Sequence, residues 1–258
     1  GGAAHGHLAA VGVCFLLAAA LIRTLRTRGH FATRPEPRLL DRLDLVALGT
    51  VADVAQLRGL NRAFVAQGLK VMAQRRHIGL AVLADAARLS RAPTCTDLGF
   101  ALGPRINAGG RVGRADLGVR LLTTTDPAEA AAIAAELDRL NGDRRLIESG
   151  VQEEAEAQAS AGTAVALVAG QGWHPGVIGI VAGRLKEKLG RPAIVVALFL
   201  VTKWRGGSVD ADKTPQPDET GEAHRVLVLA NETVAADELL EELRRIDRAG
   251  KARYFVCV

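Results

Sequence analysis

The stretch from Leu43 to Leu57, LDLVALGTVADVAQL, restricts the fold most, because an apolar run of this length belongs in a protein core. Its acidic residues are Asp44 near the start and Asp53 near the end. Asp53 follows a Gly-Thr-Val-Ala turn, which predicts a carboxylate at the edge of a buried element. Such a carboxylate needs a cation, usually a metal ion or an arginine or lysine. A helix cap or an ordinary surface aspartate explains the same residue and remains open.

The composition is that of a globular protein with an aliphatic core. Hydrophobic residues make up 48% and charged residues 24% of the 258 residues, a length that suits one large or two ordinary domains. Aromatic residues make up only 3%, which excludes aromatic stacking as the main way of binding nucleic-acid bases. The net charge of +5 fits a polyanionic partner, although many basic proteins bind no nucleic acid.

An apolar stretch from Leu8 to Ile22 predicts a buried helix that continues to Arg28 and ends at Gly29. Its 15 residues fall short of the roughly 20 that a membrane span needs. Its arginines follow the apolar run, whereas a secretory signal carries its basic residues before it. We therefore expect no membrane association.

The cysteines lie far apart in the sequence, at Cys14, Cys95 and Cys257, and show no CxxC spacing. An odd number of cysteines without metal-binding spacing is typical of a protein in a reducing compartment. We therefore predict that all three are buried thiols.

A second candidate site is the sequence GPRINAGGR, which ends at Arg111 and combines three glycines with two arginines. It predicts a loop whose glycines allow backbone N–H groups to approach an anion. Arg105 and Arg111 offer planar forks to phosphate oxygens, and Asn107 can donate and accept hydrogen bonds. By composition alone, an ordinary loop with surface arginines is equally compatible.

The pattern strand, helix, strand follows in the second half of the chain. Short apolar strands are predicted at 164–169 and 193–198, and the helix between them ends at Leu189. Units of this kind form parallel sheets that bind ligands at the strand ends.

The start of that helix is a candidate phosphate site. His174 and the N–H groups of residues 176–179 lie at its predicted N-terminus, where the helix dipole favours an anion. Arg184 lies further along the same helix and is predicted to reach the same place. A lone histidine is usually structural, so both a structural and a functional role of His174 remain open.

A long helix is predicted over residues 128–161, because Asp126 and Pro127 provide a cap and a first turn. Asn141, Gly142 and Gly150 are weak points at which this helix can bend or break. The helix is long enough to bridge two domains.

The C-terminal part changes character. Residues 202–222 are polar and rich in Pro, Gly and Asp, which predicts a linker. A strand at 225–230, a helix at 235–249 and a strand at 253–258 then resemble the start of another α/β unit. Two strands bury too little to be stable alone, so we expect this segment to pack on the main body or to be partly disordered.

Three stretches resemble, in order, motifs of the RecJ family of DHH phosphoesterases. They are LDLVALGTVADVAQL with Asn61 and Arg62 behind it, LGFALGPRINAGGR from Leu98 to Arg111, and WHPGVIGIVAGRLKE from Trp173 to Glu187. Three ordered matches with family-like spacing are more specific than one short pattern. The resemblance covers the chain up to about Leu198.

The resemblance implies an α/β fold in which the C-terminal part of a DHH domain is joined by a long helix to a smaller α/β DHH-associated domain. The implied parts are a catalytic-domain portion, a connecting helix, a partial substrate-binding domain, a linker and an unrelated partial α/β segment, at residues 1–127, 128–161, 162–201, 202–223 and 224–258.

The resemblance also implies a metal-dependent exonuclease that hydrolyses single-stranded DNA from its 5′ end. Asp53 is then a catalytic metal ligand for Mn²⁺ or Mg²⁺ in a two-ion site. The implied substrate-binding residues are Arg105, Asn107, Arg111, His174 and Arg184. A cytoplasmic role in DNA repair and recombination is expected, with DNA-repair proteins such as a helicase or a single-strand-binding protein as partners.

The sequence departs from the family in three ways. It lacks the Asp-His-His motif that supplies most metal ligands, and it lacks the Gly-Gly-His motif that completes the nucleic-acid cleft. One carboxylate does not hold a catalytic metal pair, so we expect this chain by itself to be inactive or nearly so. Gly109 also stands where these proteins usually have alanine, which is expected to loosen the predicted loop.

Two other functions fit the same residues. One is a DHH-type phosphodiesterase that acts on short oligonucleotides or cyclic dinucleotides. The GPRINAGGR sequence favours RecJ over these smaller enzymes, which generally lack it. The other is a non-catalytic remnant that binds nucleic acid or a partner protein.

Overall fold

The computed structural model describes residues 6–159, 163–199, 225–230 and 253–257. Helices dominate the first part of the chain, and a four-stranded sheet forms the second part. The α/β class is therefore confirmed. The predicted linker and the predicted helix at 235–249 lie outside the described residues.

The described chain begins with eight α-helices, and strands appear only after the eighth. The helices are α1 (Ala10–Thr27), α2 (Leu43–Ala52), α3 (Gly59–Met72), α4 (Ile78–Ala86), α5 (Cys95–Asp97), α6 (Gly103–Val112), α7 (Leu117–Thr123), α8 (Pro127–Gln158) and α9 (Pro175–Leu189). A π-helical turn at Leu98–Leu102 joins α5 to α6. The strands are β1 (Ala166–Gln171), β2 (Ala193–Phe199), β3 (Arg225–Ala230) and β4 (Arg253–Cys257).

The chain divides into two compact units. The first contains Gly1–Gly110 and Ala115–Asn141, and the second contains Arg111–Arg114 and Gly142–Val258. The domain boundaries implied by the family resemblance stay a prediction.

Helix α2 is the buried centre of the first unit, as its apolar sequence predicts. A helix that is apolar on every side must be covered all round, and α3 covers part of it at Gly68. A Cβ atom at Gly68 would lie 2.1 Å from the carbonyl oxygen of Leu43 and 2.5 Å from the Cβ of Ala47. The two helices therefore touch backbone to backbone, and only glycine fits between them.

Helix α1 is not buried, so the prediction of a buried helix is wrong. Of its residues only Gly12 is buried, while Val13, Leu17 and Leu21 form an exposed apolar face at spacings of four residues. The helix is long and apolar enough to cross a membrane by length and composition, and 6% of it is buried. Its predicted end is confirmed, since Gly29 follows it with a φ of 70°.

The cysteines also differ from their predicted burial. Cys14 is exposed on α1, and Cys95 is half-buried at the start of α5. Both thiols are free. The prediction of buried thiols is therefore wrong for these two, and the side chain of Cys257 lies outside the described part of the chain.

The second unit contains the predicted strand, helix, strand arrangement. Strands β1 and β2 pair in parallel, with Ala166 opposite Ala193. Strand β3 then pairs antiparallel with β2, and β4 pairs parallel with β3. The strands of the C-terminal segment thus extend the same sheet. This agrees with the expectation that the segment packs on the main body.

The core of this unit lies between the sheet, α9 and the second half of α8. Trp173 is buried there, and its Nε1 donates a hydrogen bond to Glu154 Oε2 at 2.7 Å. A Cβ atom at Gly170 would lie 1.9 Å from the Trp173 ring, so glycine makes room for the indole. Further core residues are Val151, Ala155, Val168, Val177, Ile178, Val181, Leu185 and Val195.

Helix α8 runs without interruption from Pro127 to Gln158. Asn141, Gly142 and Gly150, the weak points in the sequence, are all helical, and both glycines have open space where a Cβ would be. The helix therefore does not break at any of them. Propensity alone does not decide a long helix whose faces pack on other elements.

The contact at Gly68 generates a stability prediction. Gly68→Ala is expected to lower the free energy of unfolding by more than about 2 kcal/mol, because the methyl group overlaps the backbone of α2. Gly150→Ala makes the same exchange in open helix and is expected to raise it by up to about 1 kcal/mol. Denaturant unfolding followed by circular dichroism measures both, and equal effects would contradict the packing at Gly68.

The turn before α6 depends on an ionised carboxylate, Asp97. Its Oδ2 accepts hydrogen bonds from the Thr94 N–H at 2.8 Å, from Thr94 Oγ1 at 2.7 Å and from Arg91 Nη1 at 2.6 Å. The Arg91 guanidinium first, and then Thr94, lower the pKa of Asp97 to about 2. Because the unfolded pKa is higher, this contribution to stability is present above about pH 4 and is lost as the pH falls towards 2.

Asp97→Asn is therefore expected to lower the free energy of unfolding by about 1–2 kcal/mol at pH 7. The difference from the wild-type protein should shrink as the pH falls from about 4 to about 2. Arg91→Gln keeps the carboxylate but removes the largest cause of its low pKa, so it should move the acid-induced loss to higher pH. Urea unfolding at a series of pH values measures this, and a difference that does not change with pH would contradict the assignment.

Candidate functional site

Asp53 lies directly after α2, as its C-terminal capping residue, and its side chain is exposed. Its N–H donates to the carbonyl oxygen of Gly49 at 3.0 Å. The Gly-Thr-Val-Ala sequence before it belongs to the last turns of the helix, so the predicted turn is wrong. Asp53 does stand at the edge of a buried element, as predicted. A carboxylate at the negative end of a helix dipole is unfavourable unless a cation lies beside it.

The backbone after Asp53 is strained. Val54 has a φ of 55°, in the left-handed region that disfavours a β-branched residue, and its side chain is exposed. The Val54 N–H bonds to the Val51 carbonyl oxygen at 3.0 Å, and the Ala55 N–H bonds to that of Thr50 at 3.2 Å. This is a Schellman ending of α2 with valine where glycine is usual, and it costs about 1–2 kcal/mol.

Asn61 ties down the segment that follows. It is fully buried in α3, and its Nδ2 donates to the carbonyl oxygens of Gln56 at 3.0 Å and His7 at 2.9 Å. The bond to Gln56 fixes the chain three residues after Asp53. The buried Asn61 side chain thus holds the end of the LDLVALGTVADVAQL stretch in place, and Asn61 itself follows that stretch closely in the sequence.

The buried carboxylate of the apolar run is Asp44, which sequence reasoning did not single out. It is 2% exposed, and its Oδ1 accepts the Leu45 N–H at 2.7 Å. Burial raises the pKa of Asp44, while that hydrogen bond and the charges of His77 and Arg42 lower it. The signal in the sequence was its position inside the run, with leucine on both sides.

The first and second motifs meet in the first unit. The π-helical turn Leu98–Leu102 packs against the end of α2, where a Cβ at Gly99 would lie 3.5 Å from Val51 and one at Gly103 would lie 3.2 Å from Ala52. These contacts involve the two residues that precede Asp53. π-helical turns inside helices occur frequently at functional sites.

The GPRINAGGR sequence forms helix α6, so the predicted loop is wrong. Arg105 is already engaged: its Nε donates to Asp138 Oδ1 at 2.8 Å and its Nη1 to the carbonyl oxygen of Ala101 at 2.8 Å. Its side chain is 13% exposed. Asn107 is exposed on the same helix. A DNA contact by either residue stays a prediction.

The second and third motifs meet in the second unit. Arg111 Nη1 donates to the carbonyl oxygen of Gly176 at 3.1 Å. A Cβ at Gly176 would lie 2.0 Å from the carbonyl oxygen of Arg111, so the two backbones touch. The Arg111 side chain remains exposed. The structure thus brings Arg111 to the start of α9.

His174 caps helix α9. Its Nδ1 accepts the Gly176 N–H at 3.0 Å, and its carbonyl oxygen accepts the Val177 N–H at 3.1 Å. These N–H groups therefore do not form the open phosphate site that the sequence predicted. Burial lowers the pKa of His174, so the ring is neutral at pH 7, and a proton on Nε2 follows from the bond at Nδ1.

Arg184 lies nine residues into α9 and contacts α8. Its Nη1 donates to Gln152 Oε1 at 2.9 Å, and its Nη2 forms an ion pair with Glu148. Arg144 pairs with the same carboxylate from one turn earlier in α8. Sequence reasoning missed Arg144 and Glu148. Their spacing of four residues in a predicted helix was the available signal.

The residues that the structure describes do not form a complete metal site. Among the residues that the structure describes, no group of three or more His, Cys, Asp and Glu side chains is placed to hold a metal ion. Asp53 offers one carboxylate, and the two-ion chemistry implied by the family needs several.

The chain is similar to RecJ exonucleases. No protein-family model matches it. It is 45% identical over 202 residues to the single-stranded-DNA-specific exonuclease RecJ of Dickeya dadantii, covering 74% of this chain and 35% of that protein. The RecJ of Escherichia coli K12 is 43% identical over 201 residues, with the same coverage of both chains.

Solved structures of RecJ are also similar to this chain. The crystal structure of RecJ with Mn²⁺ from Thermus thermophilus is 39% identical, with a TM-score of 0.60, and the match covers 66% of this chain and 26% of that one. The crystal structure of RecJ with Mg²⁺ from the same organism is 32% identical, with a TM-score of 0.62, over 84% of this chain and 30% of that one. The resemblance of this chain to the RecJ family is therefore confirmed, and the chain spans about a third of the length of the relatives it matches.

Proposed function

We propose that this chain is the part of a metal-dependent 5′–3′ exonuclease that supplies one metal ligand and binds the backbone of single-stranded DNA. The observation that carries the proposal is its identity of 45% over 202 residues to a protein named single-stranded-DNA-specific exonuclease. The three motifs that carry the resemblance also meet in pairs, at Ala52 with Gly103 and at Arg111 with Gly176.

Asp53 is the proposed metal ligand, for Mn²⁺ or Mg²⁺. Support comes from its exposed carboxylate at the negative end of α2, where a divalent cation offsets an otherwise unfavourable placement. The left-handed Val54 beside it adds support, because backbone strain of this kind clusters at functional sites. Related RecJ structures were solved with Mn²⁺ and with Mg²⁺.

The remaining metal ligands have to come from outside the residues that the structure describes. Two bound divalent ions would activate a water and stabilise the attacking and leaving oxygens of the phosphodiester. This chain contributes Asp53 to that chemistry, and we expect the chain by itself to be inactive or nearly so.

The DNA backbone is the proposed ligand of the basic residues. Arg111 is exposed at the start of α9, and neutral His174 beside it has Nε2 available as a donor. Arg184 is half-exposed further along α9, and Asn107 is exposed on α6. Arginine forks and neutral donors of this kind bind phosphate without reading the bases. Arg105 is the weakest of the proposed contacts, because Asp138 already occupies its fork.

We place the enzyme in the cytoplasm, in DNA repair and recombination, with a helicase or a single-strand-binding protein as partner. The bacterial origin of the matched relatives supports this location. The net charge of +5 supports a polyanionic ligand.

The test is a chimera in which the matched residues of a RecJ exonuclease are replaced by those of this chain. With Mn²⁺ and single-stranded DNA labelled at its 3′ end, we expect stepwise degradation from the 5′ end by the chimera and none by this chain alone. Asp53→Ala should slow the chimera by about a thousandfold or more, because a metal ligand is lost. Asp41→Ala, which removes a half-buried aspartate before α2, is the matched control and should change little.

Different failures have different meanings. An active chimera that tolerates Asp53→Ala would show that Asp53 is not a metal ligand. A preference for dinucleotides would favour the phosphodiesterase alternative. A folded chimera that binds DNA but hydrolyses nothing would favour the non-catalytic alternative.

The two arginines of α6 are expected to have different roles: Arg105 stabilises the fold, and Arg111 binds DNA. Arg105→Ala should lower the free energy of unfolding by about 1–2 kcal/mol, because Asp138 and the Ala101 carbonyl lose their partner. Arg111→Ala should weaken DNA binding and reduce the salt dependence of binding by about one phosphate contact, with a smaller loss of stability because the Gly176 carbonyl oxygen loses one exposed donor. Urea unfolding and fluorescence anisotropy with labelled oligo(dT) measure the two effects. The reverse pattern would contradict this division.

A further inference from the structure

Glu148 is a buried carboxylate that is shared between two arginines. It is 2% exposed on α8, Arg144 bonds to its Oε2, and Arg184 Nη2 lies in ion-pair contact with its Oε1. An isolated carboxylate buried this deeply would be strongly destabilising, and the two guanidinium groups offset that cost. Neither Glu148 nor Arg144 belongs to the motifs that carry the family resemblance.

The charges of this group do not cancel. Two arginines and one glutamate leave an excess of one positive charge, whereas a simple pair of Arg184 and Glu148 would be neutral. Arg144 is almost buried, so the excess is presented to solvent by Arg184, whose side chain is 52% exposed. Burial first, and then the neighbouring cations Arg145, Arg111 and Arg184, lower the pKa of Arg144, while Glu148 raises it.

Arg184 is also held in place on two sides. Gln152 Oε1 accepts a hydrogen bond from Nη1 at 2.9 Å, and Glu148 faces Nη2. A guanidinium group has five N–H donors, so these two contacts leave others for a ligand. Fixing a long side chain in advance removes the entropy cost of ordering it when a ligand binds. Gln152 and Glu148 lie one turn apart on α8, so a single helix face sets the orientation of Arg184.

We propose that Glu148 is a positioning residue which, together with Gln152, orients Arg184 to bind a backbone phosphate of single-stranded DNA. This inference rests on the proposed function, because the phosphate belongs to the proposed substrate. Arg144 neutralises Glu148, so that Arg184 keeps its charge for the ligand. Glu148 itself does not touch the DNA.

A charge effect and a positioning effect of Glu148 change the DNA affinity in opposite directions. Glu148→Gln removes a negative charge near a polyanion, so a carboxylate that acts only through its charge would, when removed, tighten DNA binding. A positioning carboxylate would, when removed, weaken DNA binding, because Arg184 loses its orientation. The direction of the change in affinity therefore distinguishes the two roles.

The experiment measures binding of fluorescein-labelled oligo(dT) to the full chain by anisotropy over a series of salt concentrations. We expect Arg184→Ala and Glu148→Gln each to weaken binding by about tenfold and to reduce the salt slope by about 0.7, the value for one phosphate contact on a single strand. The double variant should bind like Arg184→Ala alone, because both changes remove the same contact. Arg184→Lys should retain only part of the affinity, since lysine lacks the fork.

Glu153→Gln is the matched control. Glu153 is exposed on the same helix and its Oε1 accepts a hydrogen bond from Ser149 Oγ at 3.5 Å, so the exchange removes an equal charge without touching Arg184 or Gln152. It should leave DNA binding unchanged or tighten it slightly. If Glu148→Gln unfolds the chain in a thermal scan, Gln152→Met tests the same proposal, because it removes the other contact to Arg184 while it keeps helix propensity and volume.

The outcomes separate this inference from the proposed function. Tighter or unchanged binding by Glu148→Gln, or by Gln152→Met where the first variant unfolds, would overturn the positioning role while the DNA-binding function stands. Wild-type affinity and salt slope in Arg184→Ala would overturn the positioning role as well. No salt-dependent binding of oligo(dT) by the wild-type chain would overturn the proposed DNA-binding function and, with it, this inference.

Discussion

Direct contact between backbones at glycine is the constraint on which the rest of the structure depends. Gly68 lies against Leu43, a Cβ at Gly79 would lie 2.0 Å from the Leu121 carbonyl oxygen, and Gly176 touches Arg111. A core built from Ala, Val and Leu has few large side chains to fill wide gaps, so the elements must approach closely to reach native packing density. These contacts set the position of α2, which Asp53 follows directly, and of the start of α9.

Much of the fold follows from sequence pattern. Apolar runs and punctuation by Gly and Pro predict α1, α8, α9 and the parallel pair β1 and β2, because these signals are local. The glycines of GPRINAGGR predict a loop, but tertiary contacts at Gly103 hold that segment as a helix. The exposure of α1 was not predictable, because periodicity shows which residues are apolar and not what covers them.

For the candidate site, the sequence predicts the residues but not their hydrogen-bond partners. Asp53 stands out because it ends an apolar run, whereas Asp44, inside the same run, is the buried carboxylate. His174 and Arg184 were placed on the correct helix, but their partners come from the backbone of α9 and from α8. Partners that lie 32 residues away, such as Gln152 and Arg184, leave no local trace in the sequence. Networks of this kind emerge only when helix faces are known.

The exposed face of α1 has a consequence for the life of the chain in a cell. Val13, Leu17 and Leu21 present on a stable helix the kind of surface that folded proteins usually hide. Chaperones and proteases select their clients by such apolar surface rather than by the state of the core beneath it. The exposed face of α1 is therefore a surface of the kind that such recognition acts on, whatever the stability of the two units.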